Sequence, residues 1–186
     1  MARRFFILSG CSGGGKSTLL AELARRGYAT VAEPGRRIVQ EERAAGGDGL
    51  PWVNPVRFLS LCLARAIADC RAAEAAPGPV IFDRSAIDAL AAMDRAGLSP
   101  PADFAAQAAA LPYAPLTFLA PPWPELYAED AERRHGLAAA RAEYDDLARV
   151  FPARGHRTLV LPKTSVAHRA GLIAAAVRSD PASPFT

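Results

Sequence analysis

The chain has 186 residues, 51% hydrophobic and 22% charged, which fits one α/β domain with a real core and argues against disorder. Its net charge of +3 comes almost entirely from arginine, Lys16 and Lys163 being the only lysines, and no basic run or interleaved aromatic pattern points to a nucleic-acid partner. No stretch approaches the ~20 apolar residues of a membrane span, and three cysteines (Cys11, Cys62, Cys70) without a CxxC spacing suggest neither a disulfide framework nor a zinc site, which fits a reducing, cytoplasmic setting.

In chain order, Phe5 to Ser9 is a short apolar run that reads as a buried parallel strand. The preceding Met1-Ala-Arg-Arg gives it the look of a lipoprotein signal ending at Cys11, but the run is far shorter than the roughly 7–15 residues such a core needs. Lys16 to Arg26 places Leu19, Leu20 and Leu23 on one helical face, and Gly27 is a C-terminal stop. Ala29 to Glu33 reads as a second strand, followed by Pro34-Gly35, a polar helix from Arg36 to about Ala45, and a glycine-rich break over 46–49. Asn54-Pro55 starts a long helix to about Ala76, with Val56, Leu59, Leu63, Ala66, Ile67 and Cys70 at helical spacing.

After the turn at 77–79, Val80 to Asp83 is a third strand, and Ile87 to Ala96 a helix stopped by Gly97. An alanine-rich helix then ends before Pro112, Leu116 to Leu119 is a fourth strand, and Pro121-Pro122-Trp123-Pro124 is a rigid loop. Two helical pieces, Glu125 to about Arg134 and Leu137 to about Ala153, are broken at Gly136. Arg157 to Leu161 is a fifth strand and Ser165 to Arg178 a closing helix. Residues 1–178 are read as a single domain, and 179–186, rich in proline and serine, as a loose tail. Strands alternating with helices imply a parallel sheet covered on both faces, with ligands at the carboxyl ends of the strands, where Ser9, Glu33 and Asp83 fall.

The strongest motif is Gly10-Cys11-Ser12-Gly13-Gly14-Gly15-Lys16-Ser17, followed by Thr18, between an apolar strand and an amphipathic helix. Its glycines let successive backbone N–H groups point at phosphate oxygens, and the following helix adds the positive end of its dipole. ATP is the expected ligand: Lys16 reaches its β- and γ-phosphates, and the Ser17 hydroxyl is a ligand for Mg²⁺. Asp83, at a strand tip within Val80-Ile-Phe-Asp83-Arg84-Ser85, suits a Mg²⁺-organising or catalytic carboxylate, or else a cap for the next helix. Glu33 can accept a hydrogen bond from an incoming hydroxyl, with Arg36 and Arg37 available to an anionic group; the alternative is a plain turn with solvated arginines. Arg133 and Arg134 lie where a mobile lid would carry positive charge over the phosphates, although Glu129–Arg133 and Asp130–Arg134 are also ordinary i,i+4 surface pairs. His135, His156 and His168 have no metal-ligand spacing and read as incidental surface residues. Cys11 reads as a space-filler, with some scope for oxidation because helix N-termini favour thiolate.

GCSGGGKST, AEPGRRIVQEE, FDRSAID, LAPPWPELYAEDAERR and LPKTSV occur in an order that resembles a family of predicted bacterial AAA-type ATPases. That family is similar to the ribosylnicotinamide-kinase domain of a bifunctional NAD-biosynthesis regulator and, more distantly, to thymidylate and deoxynucleoside kinases. The resemblance covers roughly residues 3 to 177. It implies a P-loop NTPase fold with strand order 2-3-1-4-5 and a small helical lid, and roles in catalysis and acceptor binding for Asp83-Arg84-Ser85 and Glu33-Pro34. It does not imply an AAA+ unfoldase, which carries a further helical domain. Two functions are compatible with these residues: a small-molecule kinase moving the ATP γ-phosphate to a hydroxyl or phosphate acceptor, or a nucleotide-dependent switch acting on a protein partner. A GTPase form of the switch lacks an N-K-x-D sequence to read guanine, and Glu33 with the lid arginines favours the kinase.

Overall fold

The computed structural model describes residues 4–124 and 136–179. Five strands form one parallel sheet in the order β2-β3-β1-β4-β5. They are β1 (Phe5–Gly10), β2 (Ala29–Val31), β3 (Val80–Asp83), β4 (Tyr113–Ala120) and β5 (Arg157–Val160). Seven helices connect and cover them: α1 (Lys16–Arg25), α2 (Pro34–Ala45), α3 (Pro55–Ala72), α4 (Ala86–Arg95), α5 (Ala102–Ala109), α6 (Leu137–Ala153) and α7 (Val166–Arg178). The order expected from the resemblance is thus the observed one.

Alternation along β1 divides the core in two, because successive side chains of a strand point to opposite faces. Phe5 and Ile7 pack with Val80, Phe82, Leu63, Ile67, Leu90, Leu147 and Phe151 under α3, α4 and α6. Phe6 and Leu8 pack with Leu19, Leu23, Ile81, Phe118, Ala170 and Ile173 under α1 and α7. Every residue of β1 is buried, as expected of the middle strand in a parallel sheet.

Several element boundaries differ from the sequence expectation. β2 ends at Val31, and Glu33 is the residue preceding α2, with Pro34 at the first helical position. Proline's fixed φ and missing N–H suit that first turn, so the helix starts two residues before Arg36. α3 stops at Ala72 and tightens into a single 3₁₀ turn over Ala73–Ala75. β4 begins at Tyr113, three residues early, despite Pro115. The β1–β4 register shifts between Phe5, opposite Tyr113, and Ile7, opposite Thr117, and this irregularity accommodates the proline's missing donor inside a central strand.

At the carboxyl end of β1, Gly10 has φ +124°, and a Cβ there would sit 2.2 Å from the Ala120 carbonyl oxygen of β4. That approach is what turns the chain out of the sheet into residues 11–15. Gly10→Ala is expected to lose more than the about 1–3 kcal/mol of backbone strain alone, since β4 backbone must also move. Urea denaturation checks this: a Gly10→Ala midpoint equal to that of the wild type would mean the turn is not constrained by β4.

Candidate active site

The loop after β1 wraps the N-terminus of α1, whose first residue is Lys16. Gly15 precedes it with φ +72°, and Gly13 has φ +81°, backbone that glycine adopts without strain. Lys16 is buried, and its Nζ donates to the loop's own carbonyls, 3.1 Å to Gly10 O and 2.7 Å to Cys11 O. Cys11 is fully buried, and burial, opposed mainly by Lys16, pushes its thiol above the ordinary value of 9.0. Full burial agrees with the reading of Cys11 as a space-filler, and desolvation there outweighs the helix terminus that would favour a thiolate.

Beyond the loop opens a cavity of about 610 Å³. Ser12, Gly13, Gly15, Lys16, Ser17 and Thr18 line one end, with Ser17 and Thr18 exposed to it. Its other polar lining is Glu33, Arg36, Arg84, Ser85, Asp88 and Glu143, and its apolar lining includes Val39, Pro51, Pro55, Phe58, Leu59 and Cys62.

Arg84 joins these walls. Its Nε donates to Glu33 Oε1 at 3.1 Å, and its Nη1 lies 2.9 Å from Glu143 Oε1 and 3.7 Å from Asp88 Oδ1. Arg84 is the one non-glycine with positive φ among the described residues, at +68°. A bulky side chain held there stores strain of about 1–3 kcal/mol, tolerated only where surrounding contacts fix it. Burial opposes the charged form of both Glu33 and Glu143, yet the nearby cations Arg84 and Lys16 outweigh it and hold both carboxyls below their ordinary range. Asp88 is the opposite case: burial raises it despite Arg84 and despite hydrogen bonds from Ser9 and Ser85. Its Oδ1 accepts from the Ser9 hydroxyl and its Oδ2 from Ser85 Oγ at 2.7 Å.

The helix cap after β3 is Ser85, whose Oγ accepts from the N–H groups of Ile87 and Asp88 at 3.2 and 3.4 Å. Asp83 is thus not the cap. It lies beside Leu8 in the sheet, is 2% exposed, and its Oδ1 has no hydrogen-bond partner among the described residues. Burial pushes its carboxyl up to about 6 against the pull of Lys16. A buried, unsatisfied carboxylate oxygen at a strand end is costly unless a cation or donor reaches it.

The structure therefore gathers Lys16, Ser17, Glu33, Asp83 and Arg84 at one end of the sheet. Arg37 instead turns away to Asp69 at 2.7 Å and ties α2 to α3. Arg133, Arg134 and the helical lid fall within 125–135, outside the described residues. Asp88 and Glu143 line the cavity and Arg169 contacts the loop at the Gly14 carbonyl, none of them having been singled out from sequence. Asp88 has a local signal, as the third residue after the Ser85 cap; Glu143 and Arg169 come from distant helices and have none. His156 is corrected from an incidental surface residue: its Nδ1 is 3.1 Å from Thr117 Oγ1 and its ring packs edge-on against Phe151.

This fold is that of the P-loop kinases. Deoxyadenosine kinase from M. mycoides superposes with a TM-score of 0.57 at 14% identity, over 94% of this chain and 98% of that one. Shikimate kinase from Acinetobacter baumannii gives 0.60 at 14% identity, over 96% and 94%. A NadR protein solved in complex with NR gives 0.69 at 18% identity, over 96% of this chain but 52% of that one. The family model described as AAA domain matches residues 5–169, and the chain belongs to that family. No curated protein sequence matches it.

The pKa of Asp83 carries a testable consequence. Its folded value, about 6, lies above the ordinary 3.8, so the protonated acid contributes stability at low pH that is lost as pH rises through about 6. Asp83→Asn should therefore be close to wild type in stability near pH 4 and more stable above pH 6, by up to about 3 kcal/mol. Denaturation of the ligand-free proteins across that range measures it, and a difference independent of pH would contradict the buried, orphaned carboxylate.

Proposed function

We propose that the protein is an ATP-dependent small-molecule kinase that transfers the γ-phosphate to a hydroxyl group of an acceptor held against Glu33. The observation that carries this reading is that one cavity is lined together by the glycine loop with Lys16, by Glu33 and Arg84, and by the apolar side chains of Val39, Phe58 and Leu59. A nucleotide switch needs the first part only. An apolar wall of that extent next to a carboxylate suits the body of a small organic acceptor.

Lys16 would leave the carbonyls of Gly10 and Cys11 for the β- and γ-phosphates, and the N–H groups of residues 12–17 would cradle them. The donor types suit Mg²⁺, a hard cation that keeps waters and phosphate oxygens as ligands: Ser17 lines the cavity with a hydroxyl, and Asp83 has a buried carboxylate oxygen without a partner among the described residues. When bound, Mg²⁺ neutralises charge on the phosphates. Glu33, ionised and fixed by Arg84, accepts the hydrogen bond of the acceptor hydroxyl and aims its oxygen. The bond from that oxygen to the γ-phosphorus forms as the bond to the bridging oxygen breaks. ADP leaves with that electron pair, and the hydroxyl proton passes to Glu33 or to solvent. A depressed carboxyl is a weak base, but phosphoryl transfer through a loose transition state depends on positioning more than on deprotonation. Arg133 and Arg134 are proposed as lid residues over the phosphates.

Lys16→Ala should abolish tight ATP binding without unfolding the protein, measured by calorimetry on the folded variant; unchanged affinity would remove the phosphate-loop assignment. Glu33→Gln should leave ATP affinity nearly unchanged and slow transfer by roughly 10²–10⁴-fold. The assay is ADP release with and without a pool of nucleosides, nucleoside monophosphates, nicotinamide riboside and aminoglycosides. Stimulation that disappears in Glu33→Gln supports the kinase. No stimulation by any small molecule, with stimulation by a protein partner, would establish the switch.

A further inference from the structure

Arg169, on the first turns of α7, is the largest fully buried side chain among the described residues, at 1% exposure. Buried arginines are ordinarily neutralised by a carboxylate. Among the described residues this one has no ion pair. Its Nη2 donates to the Gly14 carbonyl at 2.9 Å, its guanidinium carbon lies 5.6 Å from the ring centroid of Trp123, and its Nε has no partner. Burial accordingly pushes its pKa below the ordinary 12.5. A full charge is thus kept, without a counter-ion among the described residues, against the Gly14 carbonyl of the glycine loop and outside the cavity lining.

The orientation of Gly14 shows what that charge does. In a trans peptide the C=O of one residue and the N–H of the next point in opposite directions. Gly13 and Gly15 line the cavity, whereas Gly14 is turned toward β4, where a Cβ would meet Ala120 Cβ at 3.1 Å and the Pro121 carbonyl at 3.2 Å. Drawing the Gly14 carbonyl outward onto Arg169 therefore turns the Gly15 N–H inward. The same contact brings a positive charge behind the loop, and the face of Trp123 fixes the guanidinium plane by cation–π attraction.

We infer that Arg169 is a positioning residue for the phosphate loop, holding the Gly14–Gly15 peptide in its anion-binding orientation and supplying a buried charge whose counter-ion is the phosphate chain of the bound nucleotide. The inference rests on the phosphate-loop part of the proposed function and is independent of whether an acceptor exists. It separates stability from binding: in the ligand-free protein the uncompensated charge is destabilising, and with nucleotide bound it is compensated.

The test uses the full chain with Arg169→Met, which keeps length and removes charge, and Arg169→Lys, which keeps charge. Titration with AMP, ADP and ATP is combined with melting of the ligand-free proteins. Arg169→Met is expected to melt at or above the wild-type temperature when ligand-free, and to bind ATP tenfold or more weakly, a factor worth about 1.4 kcal/mol. The loss should shrink from ATP to ADP to AMP as phosphate charge falls, and Arg169→Lys should recover most of the ATP affinity. A lowered melting temperature with the same loss for all three nucleotides, or no loss at all, would make Arg169 a packing residue and overturn the inference. So would an Arg169→Lys protein that binds ATP as poorly as Arg169→Met. If Arg169→Met does not fold, Arg169→Gln takes its place in the same titrations and is judged by the same outcomes. Wild-type protein that binds none of the nucleotides would instead remove the phosphate-loop reading itself.

Discussion

The guanidinium of Arg84 is the contact on which the crevice depends. It follows β3 directly, in a left-handed backbone conformation, and reaches Glu33 before α2 and Glu143 within α6. Without a shared cation these carboxylates would repel one another across a half-buried space. Removing one partner of such a buried set typically costs about 3–5 kcal/mol, because the remaining charges stay desolvated. The strain at Arg84 is therefore small beside what the arrangement holds in place. α6 is brought to the loop by the same contact: Glu143 accepts the Ser12 N–H at 3.3 Å while it binds Arg84.

Several donors and cations of the site are satisfied internally. Lys16 rests on the carbonyls of its own loop, and Ser12 donates to a carboxylate. Each of these donors therefore already has an oxygen partner in the ligand-free protein. The exceptions are the Asp83 oxygen and the Arg169 Nε, both buried and without a partner among the described residues. They belong to side chains of opposite charge, and each is costly until a partner reaches it.

Likeness to kinases at 14–18% identity concerns the fold. Many chemistries share such folds, and function lies in the site grafted on them. The chain's own features are the apolar wall formed by Val39, Phe58 and Leu59, the carboxylate at Glu33, and the arginine behind Gly14. Arg95 and Asp146, 2.8 Å apart, link α4 to α6, and Arg37 with Asp69 links α2 to α3. These pairs join helices that are distant in the chain.

The sequence by itself determined what is local. The strand–loop–helix at 5–25 was legible because phosphate binding requires glycines, one lysine and one hydroxyl at fixed spacing within a single turn of chain. The buried strand at 80–83 and the edge strand at 157–160 were legible from short runs bounded by turns. Boundaries slipped where tertiary contacts overrode local pattern: β4 runs through Pro115 because β1 tolerates a register shift there. Only the tertiary structure decided which charges meet. Arg84 and Glu143 are 59 positions apart in the sequence, and Arg169 lies 155 positions from Gly14. A charged residue on a helix reads from sequence as a solvated surface group. Glu143 and Arg169 depart from that reading only because the packing of α6 and α7 turns them inward onto a loop whose own residues were plain from the start.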